Sequence, residues 1–498
     1  MMGVSLYTVR VVLKTLGVVD YGIYNVVGGI VIMFAFLSNT MSSASQRFFA
    51  FELGQNNREQ LKKTFSITMT IYILIALVIL LLAETVGLWF LNTQLTIPAD
   101  RMGAAQWVYQ FSILSFMMTM FTVPYNAAII AHENMKIYAY VSIFDVLLKL
   151  FIVYLLVLFS FDKLQLYAIL TFAATTIITL IYRTYCMRKF EECRYSFHWD
   201  KSLFKKIMSY SGWNLVGALS SVAKNQGINM LLNVFFGPAV NASRGVAYQV
   251  QSVVLNFGNN FFTAVRPQII KSYASQRHDE MMRLVFQSTK FSFYLLFFLS
   301  LPLLLEPNFL LGLWLEKIPD FTVVFIQLVV VDTLLELLMN PIVTLVQATG
   351  KIKWYQIVVG GVRLLCLPVA YVFLKRGFGP EAVFYILVAN TILCNALRVI
   401  MVKKLITFSL IGYLKQVVLV ITVVSLTSFI FPKLIQIYWM GNSVSESIIM
   451  VLIASFFSLS SILLIGLTKS EREFLRSAIV NKLKNRERKK VPGTTLKN

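Results

Sequence analysis

The sequence predicts an all-α integral membrane protein of about 14 transmembrane helices, arranged as two pseudo-symmetric six-helix lobes plus two C-terminal helices. Three observations carry this. The chain is 57% hydrophobic and only 14% charged over 498 residues, with a mean hydropathy of +0.72. A soluble domain of that length cannot hide so much apolar surface, so lipid is the solvent for most of it. Apolar runs of spanning length recur along the whole chain, and the loops between them alternate between cation-rich and cation-poor. Two stretches of the first half recur in the second.

The opening MMGVSLYTVRVVLKTLG is interrupted by Arg10 and Lys14. It is shorter than the roughly 20 apolar residues a span needs, and it has no cleavage signal. The expectation is that the first helix begins upstream of Met1. Spans follow at Tyr21–Ala44, Thr64–Leu91, Ala105–Ala131, Ile137–Phe159 and Gln165–Met187. The second set lies at Tyr210–Phe236, Ala239–Val265, Phe291–Leu313, Phe321–Gln347, Trp354–Lys375 and Glu381–Val402, with two more at Val417–Tyr438 and Ser447–Leu467. The organisation read from these is an N-terminal lobe over 1–187, a linker over 188–209, a C-terminal lobe over 210–403, two added helices over 414–467 and a basic tail over 468–498. Leu203, Phe204, Ile207 and Met208 form one face among Lys201, Lys205 and Lys206, as Phe474, Leu475, Ile479 and Leu483 do in the tail. Such amphipathic stretches are expected to lie on anionic lipid.

The net charge is +22, from 45 Lys and Arg against 23 Asp and Glu. Its distribution excludes a nucleic-acid reading. Arg47, Arg58, Lys62, Lys63, Lys136, Arg188, Lys189, Arg266, Lys271, Lys351, Lys353, Lys403 and Lys404 all fall in one alternating set of loops, while GPAVN, EKIPD and GNSVSES in the other set are cation-poor. The cationic set is expected to face the cytoplasm, with both termini on that side.

Asn39–Phe65 matches Asn260–Phe286 at a shift of 221, and Pro124–Tyr138 matches Pro341–Tyr355 at a shift of 217 through Pro124/Pro341, Ala131/Ala348, Lys136/Lys353 and Tyr138/Tyr355. A repeat spanning six helices keeps the same orientation in both copies. The halves are therefore expected to be related by a twofold along the membrane normal, with a substrate near the midplane between them. Pro124 and Pro341 are the hinge candidates.

Enzyme signatures are missing. No Walker sequence, GxSxG or HExxH occurs, His132, His198 and His278 all sit in predicted loops, and Cys186, Cys193, Cys366 and Cys394 lack metal spacing. The chain is not expected to be an enzyme, nor to hold a cofactor or metal. Intramembrane charge is the remaining clue, because each such residue costs about 2.5–3.5 kcal/mol to insert and has to line a cavity or find a partner. The cavity cations are Lys224, Arg244, Arg10 and Arg363, with Lys224 least able to reach an interface. Asn225, Gln226, Asn229, Gln249 and Asn256 accompany them as cavity amides. Fixed cations with amides suit phosphate and sugar hydroxyls. Asp332 and Glu336, like-charged at i,i+4, are ion-coupling candidates, as are Asp145 and Lys149, which can also neutralise each other.

With those residues in hand, the chain resembles the O-antigen/polysaccharide flippase group of the MOP exporter superfamily. The carrying stretches are LGVVDYGIYNVV (Leu16–Val27), Pro124–Tyr138 and RPQIIKSYA (Arg266–Ala274), and with the helix count they cover essentially the whole chain. The resemblance implies a MATE-like bundle working by alternating access on an undecaprenyl-pyrophosphate-linked oligosaccharide, for O-antigen, capsule or exopolysaccharide assembly. Lipid-linked oligosaccharide, membrane lipids and other polysaccharide-assembly proteins are the expected partners, and nucleic acid is not. The alternatives are an ion-coupled exporter of small molecules, which predicts a carboxylate-dominated cavity, and a glycan polymerase or ligase, which needs a sizeable extramembrane loop.

Overall fold

The computed structural model describes residues 11–473, apart from 13, 18, 25, 29–34, 94, 96, 160, 316–317, 440–442 and 470. Arg10 and the Phe474–Leu483 stretch lie outside the described residues. The described backbone contains no strand. Residues 11–28 are helical where described and are broken at Gly17, whose φ of 79° suits only glycine at low cost. The helices that follow are α1 (Ala35–Gly54), α2 (Arg58–Thr93), α3 (Met102–Ala131), α4 (Met135–Leu158), α5 (Lys163–Lys189), α6 (Lys201–Phe236) and α7 (Pro238–Ala274). After them come α8 (His278–Leu305), α9 (Pro307–Gly312), α10 (Thr322–Leu337), α11 (Asn340–Thr349), α12 (Lys353–Lys375), α13 (Glu381–Leu405), α14 (Leu419–Trp439) and α15 (Val444–Ser461).

Ten candidate spans among the described residues are long and apolar enough to cross a bilayer, which fits the predicted fold class. The long helices α6 and α7 (36 and 37 residues) are not among them, because amides and cations break their apolar surface. Lys201–Met208 opens α6 rather than forming a separate interfacial helix. Asp200 Oδ1 accepts the Ser202 and Leu203 amides, and Leu203 and Ile207 are buried against protein. The predicted span Phe321–Gln347 is interrupted between α10 and α11, just before Pro341, whereas α3 runs unbroken through Pro124. Proline lacks the N–H that would continue the ladder, so the two matched prolines have different local outcomes.

The backbone repeats itself as the sequence match requires, with one correction. Glu133 and Gly350, related by the shift of 217, are both left-handed (φ 60° and 74°), and their amides donate to Ile130 O and Gln347 O. For the other match the turns pair Asn56 (φ 54°) with Gln276 (φ 57°), a shift of 220 instead of 221. Buried Phe49, Ala50, Leu61 and Phe65 pair at the same spacing with buried Ile269, Ile270, Met281 and Val285. The flanking identities had suggested 221, and backbone turn and core packing set the register instead.

By packing the chain divides into two compact units. Unit 1 holds Met1–Lys224, Thr263–Leu284 and Val343–Leu364, and unit 2 holds Asn225–Phe262, Val285–Ile342 and Leu365–Asn498. The core of unit 1 combines Phe49, Phe65, Tyr125, Tyr182, Cys186 and Cys193 with Ile270 and Ala348. Ala127, Ala128 and Ala131 in the same core let helices approach closely. Away from the cationic loops, Arg101 joins Asp20 (2.6 Å) to Asp162 (2.5 Å), and Asp162 also caps α5 through the Leu164 and Gln165 amides. Asp20 of the LGVVDYGIYNVV motif thus anchors a corner of the fold. In unit 2, Phe325 of α10 stacks on Phe384 of α13 at 4.1 Å, and Lys290 of α8 pairs with Glu471 at 2.8 Å with both side chains 6% exposed.

Candidate functional site

The candidate site is built on the hairpin Asn225–Phe262 of unit 2. Gly237 (φ 77°) donates its amide to Asn233 O and closes α6, and Pro238, having no N–H to lose, starts α7. Arg244 lies in the second turn of α7 and is 9% exposed. Its Nη1 donates to Asn229 Oδ1 (3.1 Å), its Nη2 to Asn225 O (2.9 Å), and the Tyr248 ring lies 4.0 Å from the guanidinium. Asn241 braces the same turn by donating to Asn229 O (3.3 Å).

No carboxylate stands within ion-pair distance of Arg244 among the described residues. Arg244 Nε and Asn241 Oδ1 are buried without hydrogen-bond partners. A guanidinium so placed keeps its full charge and a spare donor. Neutral amides and a π face orient it, and no counter-ion offsets its charge among the described residues.

The exposed residues of α7 follow helical spacing. Gly245, Gln249, Ser252, Asn256 and Asn260 are exposed three to four residues apart, a stripe of small and amide side chains beside the exposed Val253 and Phe257. On α6, Gln226 and Asn233 are exposed at helical spacing among the apolar, exposed Val216, Leu219, Met230 and Val234. An uncovered amide stripe within a bilayer-length helix is stable only where water or a polar ligand reaches it.

The structure brings Arg244, Asn225 and Asn229 together and puts Gln249 and Asn256 on the stripe. It treats the other predicted residues differently. Lys224 is half-buried in α6, with no hydrogen-bond or ion-pair partner among the described residues, and it closes unit 1 where Asn225 opens unit 2. Arg363 donates to Ser221 Oγ at 2.7 Å within unit 1. Asp332 is 6% exposed and Glu336 half-buried on consecutive turns of α10, and both are engaged by neighbours. Asp145 and Lys149 do pair, at 2.7 Å on the outside of α4, which makes them a self-neutralising surface pair. Sequence reasoning missed Arg398, 3% exposed on α13 and held by Asn395 Oδ1 (3.0 Å). It also read Arg47 and Arg266 as ordinary loop cations, whereas Arg47 is 3% exposed and Arg266 Nε is buried. Nothing in local sequence separates these arginines from solvated ones.

No protein-family model and no curated protein matches the chain. Solved structures do. A MATE transporter crystallised as a point mutant aligns with TM-score 0.67 at 13% identity, over 81% of this chain and 92% of that one. The Vibrio cholerae MATE transporter VcmN, also as a mutant, gives 0.63 at 18% identity over the same shares. A MOP superfamily transporter from Pyrococcus furiosus, described as having a binding pocket of reversed polarity that suggests a different function, gives 0.63 at 13% identity, again over 81% and 92%. The chain has the MATE/MOP transporter fold.

Proposed function

We propose that this protein is a flippase that carries a lipid-linked, pyrophosphate-bearing oligosaccharide across the inner membrane of a bacterium by alternating access. The observation that carries the reading is Arg244, a buried cation whose partners are an amide, a carbonyl and a ring, with no acid among the described residues. Such a group binds an anion without first breaking an ion pair. The amide stripe of α7 supplies donors and acceptors to sugar hydroxyls, and the polyprenyl chain remains in lipid. The basic loops face the cytoplasm, where lipid-linked sugars would be taken up. The break before Pro341 falls next to the point where the chain passes from unit 2 to unit 1, which supports a hinge there.

The test is reconstituted flipping of a fluorescent prenyl-pyrophosphate glycan in proteoliposomes, beside uptake of a cationic dye. Flipping with no dye transport is the expected result, and dye transport without flipping would overturn the reading in favour of small-molecule export. That second reading draws on the MATE neighbours and on buried Asp332 beside Glu336. Lys224→Ala is expected to lower flipping about tenfold at unchanged protein level, because an unpaired cation gives up roughly the worth of one charge-assisted hydrogen bond to phosphate. Surface polysaccharide in a complemented deletion strain reads this in cells, and unchanged polymer would remove Lys224 from the path.

A further inference from the structure

Unit 1 contains a second group of arginines whose hydrogen-bond partners are neutral. Arg47, near the end of α1, donates through Nε to Gln347 O (3.1 Å) and through Nη2 to Ala348 O (2.7 Å). Phe48 and Phe51 hold the guanidinium at 4.8 and 4.7 Å. Gly350 sits against it, and a Cβ there would come within 2.9 Å of Arg47 Nη2. Arg266, 22 residues after Arg244 on α7, donates through Nη2 to Ser43 Oγ and to Gln347 Oε1 (2.7 Å), while its Nε is buried and unpartnered. Among the described residues no carboxylate lies within ion-pair distance of either arginine, and the buried Glu52 carboxylate acts on Arg47 from further away.

These contacts have a counterpart in the other copy of the repeat. Where α1 of the first copy grips the 347–350 turn of the second, α7 of the second grips the matching turn of the first. Gln268 Nε2 donates to Glu133 Oε2 (3.0 Å) and Lys271 Nζ to Glu133 Oε1 (2.7 Å). The two helix ends touch: a Cβ on Gly54 would lie 2.6 Å from Lys271 O and 2.8 Å from Ala274 Cβ. Within unit 1 the basic-loop ends of both copies are therefore latched to each other reciprocally. The two latches differ in charge. The lysine at Glu133 is neutralised, and the two guanidiniums rest on carbonyl, amide and hydroxyl oxygens.

We propose that Arg47 and Arg266 form a second anion site, filled in this structure by protein oxygens standing where phosphate oxygens would bind, and that a phosphate group arriving there releases the latch. An ionised acceptor bonds a guanidinium about twice as strongly as a neutral carbonyl does, and two arginines can divide the oxygens of one phosphate. Gln347 and Ala348 then lose the hydrogen bonds that hold their turn to α1 and α7. The cargo's own head would in this way open the end through which it enters. The identification of that phosphate with the cargo rests on the flippase reading, whereas the site itself does not.

The experiment uses the full chain in nanodiscs, carrying Ala348→Cys, a position with no exposure in the latched arrangement. The rate of maleimide labelling is followed with no addition, with inorganic pyrophosphate, with a short-chain prenyl pyrophosphate, and with the matching prenyl alcohol. Native cysteines, all buried, set the background in the unsubstituted protein. Prenyl pyrophosphate is expected to accelerate labelling about fivefold, as charged acceptors displace neutral ones, and the alcohol to leave it unchanged. Acceleration by inorganic pyrophosphate as well would assign recognition to the phosphates alone, and its failure to act would assign it to the lipid-linked form. Arg47→Gln with Arg266→Gln should label fast with or without anion. If that double variant fails a thermal-melt check, Arg47→Lys, which keeps charge but loses the fork, replaces it and should show a weakened response.

Labelling that neither pyrophosphate changes, or the same acceleration in the double variant, overturns the proposal. Arg244→Gln, run in parallel, separates the two readings. Lost flipping with a silent latch rejects this inference alone, and a responsive latch with normal flipping rejects the Arg244 site alone.

Discussion

Arg244→Gln should bind prenyl pyrophosphate and flip it about 10- to 100-fold less well than the parent, since a hydrogen bond to a charged group is worth roughly 1.5–3 kcal/mol. Stability should move little or rise, because the substitution removes a buried charge that no acid compensates among the described residues. Arg244→Lys should fall between the two. It restores charge but loses the two-pronged contact with Asn229 and Asn225 and the face-on contact with Tyr248. Flux and melting measured on the same preparations separate these effects. Parent-level flux in the glutamine variant would mean that the anion passes elsewhere.

The second large effect concerns stability. Lys290→Ala strands Glu471 in a site where both side chains are 6% exposed, and the expected cost is about 3–5 kcal/mol. Replacing both residues with apolar ones, Lys290→Met with Glu471→Leu, should recover most of it. The sign of the pH dependence follows from Glu471. Burial works to raise its pKa, but the Lys290 ammonium and the Thr468 amide outweigh burial and hold it below the ordinary glutamate value. Its contribution is therefore complete above the unfolded glutamate pKa of about 4.3 and is lost as pH falls through the lower folded value. In Lys290→Ala the partner is gone and burial dominates, so acid should stabilise that variant. Detergent-solubilised melts across this range distinguish the two, and matching profiles would remove the pair as a structural tie.

Much of this was legible because lipid imposes a simple rule on composition. Apolar length located ten spans among the described residues but not α6 and α7, and the paired Pro124 and Pro341 segments located turns that share a left-handed backbone at Glu133 and Gly350. The amides at Gln249 and Asn256 could be recognised as out of place in a span, and they do lie on the exposed stripe. What stayed hidden depends on partners far along the chain. Arg47 looks like one more loop cation until Gln347, 300 residues later, is seen to accept from it, and the partner of buried Lys290, Glu471, lies 181 residues further along the chain. Charge pattern assigns a side of the membrane to such residues and says nothing of their burial, which tertiary packing decides. Pro341 likewise resembles Pro124 in sequence, yet only the former stands at a break in its helix.

The wet stripe on α7 also bears on how the chain is made. A segment carrying Arg244, Gln249, Ser252, Asn256 and Asn260 along one side partitions poorly from the translocon into lipid on its own. Its tight turn at Gly237 joins it to α6, whose apolar flank at Val216, Leu219, Met230 and Val234 can meet acyl chains. The two helices are thus suited to leave the translocon as a pair, the exposed apolar residues of α6 admitting the amide stripe of α7 to the bilayer.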